Sequence, residues 1–225
     1  MDAKRIAAEK AVEYIKSGIT VGLGTGSTAK FAFEKLGYKI VSEGLQIKAV
    51  ATSKASDALA RSVNVPIIPF STIDAIDITI DGADEVDEDL NLIKGGGGAL
   101  LREKIVASNS KQLIIVADNK KLVKHLGKFP LPVEVIPFGY EMTIKKLEKL
   151  GCKPVLRKKD DEVFMTDNGN YIIDCSFGNI LHPKQLHDDI NAIVGVVENG
   201  LFINMANKVI IGFEDGHTNI LERTQ

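Results

Sequence analysis

A repeated order of elements constrains the fold of the first half of this chain: a short apolar strand, a turn and then an amphipathic helix. After an opening helix at residues 3–16, the patterns predict strands at 20–23, 47–51, 75–80 and 112–117 and helices at 29–36, 53–61 and 99–107. Apolar strands that alternate with helices form a parallel sheet covered on both faces. The sequence therefore predicts an α/β fold with a Rossmann-like, mostly parallel sheet flanked by helices.

The order of elements changes beyond residue 130. The patterns there predict, in turn, a strand, a helix, two strands, a helix and a strand, at residues 133–136, 140–150, 153–157, 171–175, 183–191 and 192–197. That βαββαβ order is typical of a ferredoxin-like module. The pair Asn199-Gly200 predicts a hairpin turn of type I′, and the apolar run at 208–213 predicts a strand that returns to the first sheet.

These elements predict two domains. The larger one comprises residues 1–129 and 205–225 and carries the Rossmann-like sheet. The smaller one, a ferredoxin-like α+β domain of residues 130–204, is inserted before the final strand. A length of 225 residues accommodates one large domain that carries a smaller one.

Charge and cysteine content narrow the classes of function. The formal net charge of −2 lacks the basic excess of most proteins that bind nucleic acids or anionic membranes, so an anionic ligand needs a local site. The two cysteines, Cys152 and Cys175, form no CxxC motif and predict a reduced, cytoplasmic protein. Charges interrupt the first 18 residues, so we expect neither a signal peptide nor a membrane span there.

The loop Gly22-Leu23-Gly24-Thr25-Gly26-Ser27-Thr28 connects the first predicted strand to a helix. Backbone N–H groups and the positive end of the helix dipole suit a phosphate at such a loop. The dinucleotide fingerprint fails because Ser27 replaces its third glycine, and the nucleotide P-loop fails because Lys30 follows Ala29 and precedes Phe31 where Gly-Lys-Ser/Thr is required. A small phosphate group is therefore one interpretation, and an ordinary tight turn capped by Ser27 or Thr28 is the other.

The acidic segment 77–91 invites a calcium interpretation, but an EF-hand loop starting at Asp87 would place Leu92 and Gly98 where glycine and glutamate are required. We expect a solvated loop at its remaining acidic positions, which are Glu85, Asp87, Glu88 and Asp89. Asp81 and Asp84 differ because they directly follow an apolar strand. Ligands of open α/β sheets bind beyond the carboxyl ends of strands, so these two are candidates to meet one.

Lys94 is followed by four glycines, 95–98. Ordering such a run costs backbone entropy, so either close approach of the backbone to a ligand or a hinge has to account for it. Glu103 stands about one turn into the next predicted helix, where a surface position is the alternative. Lys121, near the end of another strand, either is solvated or neutralises a phosphate. The four histidines show no zinc-ligand spacing.

Taken together and in this order, these segments resemble the type A family of ribose-5-phosphate isomerases. The matching stretches are GLGTGSTAKF at 22–31, ATSKASDALA at 51–60, DITIDGADEVDEDLNLIKGGGGALLREKIVA at 77–107 and VADNKKLV at 116–123. The resemblance implies an aldose–ketose isomerase of the non-oxidative pentose phosphate pathway, which interconverts D-ribose 5-phosphate and D-ribulose 5-phosphate through an enediolate. It also implies no metal or other cofactor, no nucleic acid or membrane partner, and a homodimer or homotetramer.

The resemblance further assigns residues to the site. It implies Glu103 as the general base, Lys94 as a stabiliser of the enediolate oxygens, and Asp81 and Asp84 as binders of hydroxyl groups and carriers of protons between oxygens. The implied substrate-binding residues are Thr25, Gly26, Ser27, Thr28, Asp81, Gly82, Ala83, Asp84, Lys94, Gly95, Gly96, Gly97 and Lys121. Lys4 is a further candidate for the phosphate from its spacing to the glycine loop.

Two alternatives from other classes stay open on the sequence. One is a non-enzymatic domain that senses a sugar phosphate, on a fold like that of some repressor effector domains. The other is an enzyme like the coenzyme A transferases, which would use a glutamate nucleophile and need no sugar-phosphate loop. Turnover of ribose 5-phosphate to a ketose distinguishes all three.

Overall fold

The computed structural model describes residues 2–223. Its helices are α1 (Ala3–Val12), α2 (Ser27–Glu43), α3 (Lys54–Ser62), α4 (Leu100–Ser108), α5 (Tyr140–Glu148) and α6 (Pro183–Asn191), with 3₁₀ turns at Phe70–Thr72 and Asn119–Lys121. Its strands are β1 (Thr20–Leu23), β2 (Lys48–Ala51), β3 (Ile76–Gly82), β4 (Glu85–Val86), β5 (Leu92–Ile93), β6 (Ser110–Asp118), β7 (Leu131–Val135), β8 (Lys153–Leu156), β9 (Lys158–Lys159), β10 (Glu162–Val163), β11 (Tyr171–Ser176), β12 (Val196–Asn199), β13 (Leu201–Phe202), β14 (Lys208–Gly212) and β15 (Thr218–Glu222). Residues 1, 224 and 225 of the predicted larger domain lie outside the described residues.

The chain divides into two compact units. The first comprises Met1–Ala83, Arg102–Lys121 and Met205–Gln225, and the second comprises Asp84–Leu101 and Leu122–Asn204. This division differs from the predicted boundaries at 84–101 and 122–129, which cluster with the second unit. The reason is local pairing that the periodicity does not signal: β5 pairs with both β4 and β13, and the carboxylate of Glu85 accepts hydrogen bonds from the backbone N–H groups of Gly127 and Phe129.

The first unit contains a six-stranded sheet in the order β15-β14-β6-β3-β1-β2. All neighbouring strands are parallel except β15, which runs antiparallel to β14. The predicted Rossmann-like, mostly parallel sheet is therefore confirmed, and so is the return of the late strand, since β14 pairs with β6. The sequence patterns did not predict β15.

The core of the first unit packs α1 and α2 against the sheet. Ala11, Phe33 and Leu36 are fully buried in one cluster with apolar side chains of the sheet. The helix α2 is longer than the predicted 29–36, because Gly37 does not end it. A Cβ on Gly37 would lie 2.0 Å from the carbonyl oxygen of Val63, so this glycine permits close packing at the end of α3. The helix ends instead at Gly44, which has the left-handed φ of 71° typical of a helix C-cap.

The second unit contains a four-stranded antiparallel sheet in the order β12-β7-β11-β8. With α5 and α6 between its strands along the chain, this is the predicted ferredoxin-like arrangement. The predicted hairpin turn at Asn199-Gly200 is wrong, because β12 pairs with β7 whereas β13 pairs with β5 in a separate sheet. The predicted strand at 192–197 starts only at Val196. In the described part of the chain, no helix combines the length and the apolar character needed to span a membrane.

Candidate active site

The strand order of the first unit reverses between β1 and β3. From β1 the chain moves to β2 on one side, whereas from β3 it moves to β6 on the other side. Loops that leave such a switch point diverge, and ligands of open α/β sheets bind in the opening between them. The loop at 24–28 follows β1, and Gly82 ends β3. The topology therefore places two of the predicted site segments at a typical ligand-binding position.

Asp81 connects these two segments. Its side chain is 1% exposed, and its Oδ1 accepts hydrogen bonds from the backbone N–H of Gly82 at 2.7 Å and of Thr25 at 3.2 Å. A Cβ on Gly24 would lie 1.9 Å from the same oxygen, so only glycine fits there. On the other flank, a Cβ on Gly82 would lie 4.0 Å from the Cβ of Thr28. The structure thus brings these predicted residues together.

Hydrogen bonds from a cluster of hydroxyl groups hold the loop at 24–28 in place, and the sequence patterns did not predict this cluster. The Oγ1 of Thr25 donates to Ser53 Oγ at 2.9 Å, Ser53 Oγ donates to Ser56 Oγ at 3.0 Å, and Ser56 Oγ donates to the carbonyl of Gly24 at 2.8 Å. Thr52 adds a fourth hydroxyl, 2.8 Å from that of Thr25. The hydroxyl of Thr25 is therefore committed to loop anchoring. The signal available was the segment 51–60, which contains the three partners.

The helix N-terminus that follows the loop is open. Gly26 is the N-cap of α2, with φ of 119° and no side-chain capping bond, so the tight turn capped by Ser27 or Thr28 is not present. Gly26 and Ser27 are exposed, and Lys4 Nζ donates to Ser27 Oγ at 3.3 Å. The first turn of α2 contains no acidic residue. Exposed N–H groups, the helix dipole and a lysine together favour an anion.

Lys121 lies in the 3₁₀ turn directly after β6. Because β6 runs parallel to β3, this turn extends from the same edge of the sheet as the loops after β1 and β3. The side chain is half-buried. The position of Lys121 is therefore consistent with its predicted role, which is to neutralise a phosphate at this edge of the sheet.

In the second unit, the glycine run approaches Asp84 closely. The N–H of Gly96 donates to Asp84 Oδ2 at 2.8 Å, and a Cβ on Gly96 would lie 2.7 Å from Asp84 Oδ1. Gly95 has a φ of 107°, and a Cβ there would lie 2.9 Å from the side chain of Leu100. Gly98 has a φ of 75°, and a Cβ there would lie 2.4 Å from the ring of Phe164, so close packing accounts for three of the four glycines. Gly96 and Gly97 themselves are exposed.

Two charged residues that flank this run in the sequence are buried. Lys94 is 2% exposed, with its Nζ 5.3 Å from the centre of the Phe202 ring. Glu103, in the first turn of α4, is 3% exposed, so the surface alternative for this residue is wrong. Burying a charged group is costly, so such groups are usually paired or functional. Both residues are thus candidates for chemistry on positional grounds independent of the resemblance.

The expectation of a solvated loop at 85–89 holds only for Glu88 and Asp89, which are exposed. Glu85 and Asp87 are buried. Asp87 accepts hydrogen bonds from the backbone and side-chain nitrogens of Asn91, at 2.7 and 3.1 Å. Burial raises the pKa of Asp87 above its ordinary value, while the bonds from Asn91 act in the opposite direction. These two carboxylates organise the loop rather than face solvent.

Metal-ligating side chains do not cluster within residues 2–223. No group of three or more histidine, cysteine, aspartate or glutamate side chains there is arranged to hold a metal ion. The metal-free reaction stays a prediction.

The comparison with protein families decides the assignment. The family model of ribose 5-phosphate isomerase A (phosphoriboisomerase A) matches residues 48–216, well over half of the chain. The chain belongs to the ribose 5-phosphate isomerase A family. This confirms the family, the aldose–ketose isomerase class and the function that the resemblance implied, and neither the sensor nor the coenzyme A transferase alternative is favoured.

Relatives of the ribose 5-phosphate isomerase A family match over nearly their whole length. A ribose-5-phosphate isomerase A of Bacillus mycoides is 55% identical over 217 residues, which cover 96% of this chain and 98% of the relative. The solved ribose 5-phosphate isomerase of Plasmodium falciparum is 42% identical, with a TM-score of 0.95 over 99% of this chain and 98% of its own. A solved D-ribose-5-phosphate isomerase in complex with phospho-erythronic acid is 40% identical, with a TM-score of 0.95 over 99% of this chain and all of its own.

Proposed function

We propose that this chain interconverts D-ribose 5-phosphate and D-ribulose 5-phosphate by moving one proton between neighbouring carbons of the open-chain sugar. The observation that carries the proposal is the burial of Glu103 in a chain of this isomerase family. The aldose-to-ketose reaction removes a proton from C2 and returns one to C1. A single carboxylate within reach of both carbons performs both transfers. We assign that role to Glu103.

The negative charge that develops on the substrate oxygens needs stabilisation. We assign this to the ammonium group of Lys94 and to N–H groups of the run Gly95–Gly97. Preorganised donors in a water-poor environment are the most effective means of stabilising such charge. The burial of Lys94 supports its assignment, since a buried ammonium group acts with less screening than an exposed one.

Asp81 and Asp84 are assigned to the sugar hydroxyls, to ring opening and to proton transfer between oxygens. Backbone N–H groups hold one oxygen of each carboxylate: Oδ1 of Asp81 and Oδ2 of Asp84. Such bonds fix the orientation of a carboxylate before substrate binds, which reduces the entropy lost in reaching a reactive geometry. Gly82 and Ala83, between them, are assigned to backbone contacts with the sugar.

The phosphate group is assigned to the loop Thr25–Thr28 with Lys121 and Lys4. The open N-terminus of α2 and the 3.3 Å contact of Lys4 with Ser27 support this assignment. A related isomerase is known in complex with phospho-erythronic acid, a phosphorylated sugar acid, which supports a sugar phosphate as the ligand of this chain. Anchoring a remote phosphate holds the reacting end of the sugar in place.

We further propose that the enzyme acts in the cytoplasm, without metal or cofactor, as a homodimer or homotetramer. The family resemblance supports these assignments. Chelation, size-exclusion chromatography and fractionation test them separately.

The reaction itself is tested by incubating the purified protein with ribose 5-phosphate in D₂O. We expect a ketose to form and deuterium to enter the carbon next to the carbonyl. Ribose without its phosphate is the matched control and should react far more slowly. A protein that binds ribose 5-phosphate but forms no ketose would instead be a sensor.

A further inference from the structure

Arg157 makes an unusual set of contacts in the second unit. Its guanidinium Nη1 donates to the carbonyl oxygens of Gly95 at 2.9 Å and Gly96 at 3.1 Å. Its Nε and Nη2 donate to the two carboxylate oxygens of Asp174. The side chain is only 14% exposed. A largely buried arginine, 62 positions away in the chain, thus holds two consecutive carbonyls of the glycine run.

Because the peptide bond is planar, a contact that fixes a carbonyl group also fixes the N–H group on the other side of the same peptide plane. In a trans peptide, the C=O of one residue and the N–H of the next lie in one plane and point in opposite directions. Fixing the carbonyl of Gly95 therefore fixes the N–H of Gly96, which donates to Asp84 Oδ2 at 2.8 Å. Fixing the carbonyl of Gly96 likewise sets the direction of the N–H of Gly97.

Asp174 and Phe164 hold the guanidinium group itself. Asp174 lies in β11, which pairs with β8 directly before Arg157, and its carboxylate accepts the paired donation that only a guanidinium fork provides. The ring of Phe164 lies 5.9 Å from the guanidinium carbon, and its edge would be 2.4 Å from a Cβ on Gly98. The arginine is thus fixed before substrate binds.

We propose that Arg157 is a positioning residue for the isomerase reaction. It orients the peptide planes of Gly95–Gly96 and Gly96–Gly97, so that the first holds the carboxylate of Asp84 and the second presents its N–H to a substrate oxygen. This inference rests on the proposed function, in which the glycine run and Asp84 act on the sugar. Without the clamp, a run of four glycines samples many conformations, and only a fraction of them is competent.

The test compares Arg157→Lys, Arg157→Ala and the exposed neighbour Lys158→Ala. For Arg157→Ala we expect kcat with ribose 5-phosphate to fall about 10- to 100-fold, the size of effect that a misplacement of about 1 Å produces, with a much smaller change in KM. Arg157→Lys keeps the positive charge but loses the forked guanidinium group, so its kcat should stay close to that of Arg157→Ala. Millimolar guanidinium ion should raise kcat of Arg157→Ala and leave the unmodified enzyme and Lys158→Ala unchanged.

The folded fraction of each variant is measured by circular dichroism and urea unfolding, so that kcat is expressed per folded molecule. Asp174→Asn, which keeps the shape of the partner, provides a second variant if Arg157→Ala does not fold, and its kcat should fall in the same direction. Normal kcat per folded molecule in these variants, with lowered stability, would make Arg157 purely structural. Failure of the proposed function looks different, because then the unmodified enzyme forms no ketose.

Discussion

The two glycine loops look alike in sequence but are held by different chemistry. Neutral hydroxyl groups anchor the loop after β1, through the chain of donors from Thr25 to the carbonyl of Gly24. A guanidinium group holds the loop before α4, through the carbonyls of Gly95 and Gly96. The helices that follow also differ. The first turn of α2 contains no acid, whereas that of α4 contains the buried Glu103.

This difference separates two tasks that glycine loops perform. A helix N-terminus without a carboxylate leaves its dipole and N–H groups for an external dianion such as a phosphate. A helix N-terminus that already contains a buried carboxylate would repel a dianion, and its dipole stabilises the ionised side chain instead. We therefore expect the first loop to contribute to substrate affinity and the second to contribute to the rate of the chemical step.

The largest effect is expected for Glu103→Gln. Glutamine keeps the shape but accepts no proton, so kcat should fall about 10²- to 10⁴-fold, the usual contribution of a general base. Steady-state kinetics and solvent deuterium exchange, which should fall in parallel, measure it. The control is Glu141→Gln, which removes an exposed acid from the first turn of α5. Near-normal turnover of Glu103→Gln would show that another residue is the general base, and Asp81 and Asp84 would be the next candidates.

A smaller effect, on binding rather than on rate, is expected at the first loop. Lys121→Ala should raise KM for ribose 5-phosphate about tenfold, the lower end for a hydrogen bond to a charged group, because its side chain is partly exposed. Turnover of unphosphorylated ribose should hardly change. Lys120→Ala is the matched control, since Lys120 is exposed in the same turn and lies 3.9 Å from Glu214. If both sugars are affected equally, Lys121 does not contact the phosphate.

The smallest effect is expected for Ser56→Ala, which removes the last donor of the hydroxyl chain. The carbonyl of Gly24 loses a buried hydrogen bond, so the free energy of unfolding should fall by about 1 to 2 kcal/mol. KM for ribose 5-phosphate should rise a few-fold, with kcat unchanged. Ser62→Ala, in the exposed last turn of α3, is the control for urea unfolding and kinetics. A fall in kcat without a change in KM would contradict the division of tasks between the loops.

The sequence predicted those features that depend on neighbours in the chain. Apolar runs such as 112–117 and the helical spacing of α1 predicted the parallel sheet and its layers, and the loop motifs predicted Asp81 and Asp84 at strand ends. Two-residue strands such as β4 and β5 carry no periodicity, so the membership of 84–101 in the second unit was not visible.

Features that join distant parts of the chain were also missed. The hydroxyl partners of Thr25 lie about 30 positions away, and Arg157 lies 62 positions from Gly95. A serine at an ordinary helix cap and an arginine at the end of a strand look unremarkable in sequence. Their hydrogen-bond partners are determined by how distant segments of the chain pack together.

The position of β14 has a consequence for how the chain folds during its synthesis. This strand fills the place between β6 and β15, yet its residues follow the entire second unit in the chain. The backbone N–H of Leu113 bonds to Asn207, 94 positions later. During translation, the edge of β6 that pairs with β14 therefore stays unpaired while some ninety further residues are added. Unpaired strand edges can pair with other chains. We expect nascent chains that stop before Lys208 to depend on chaperones, although most of the first unit has already been synthesised.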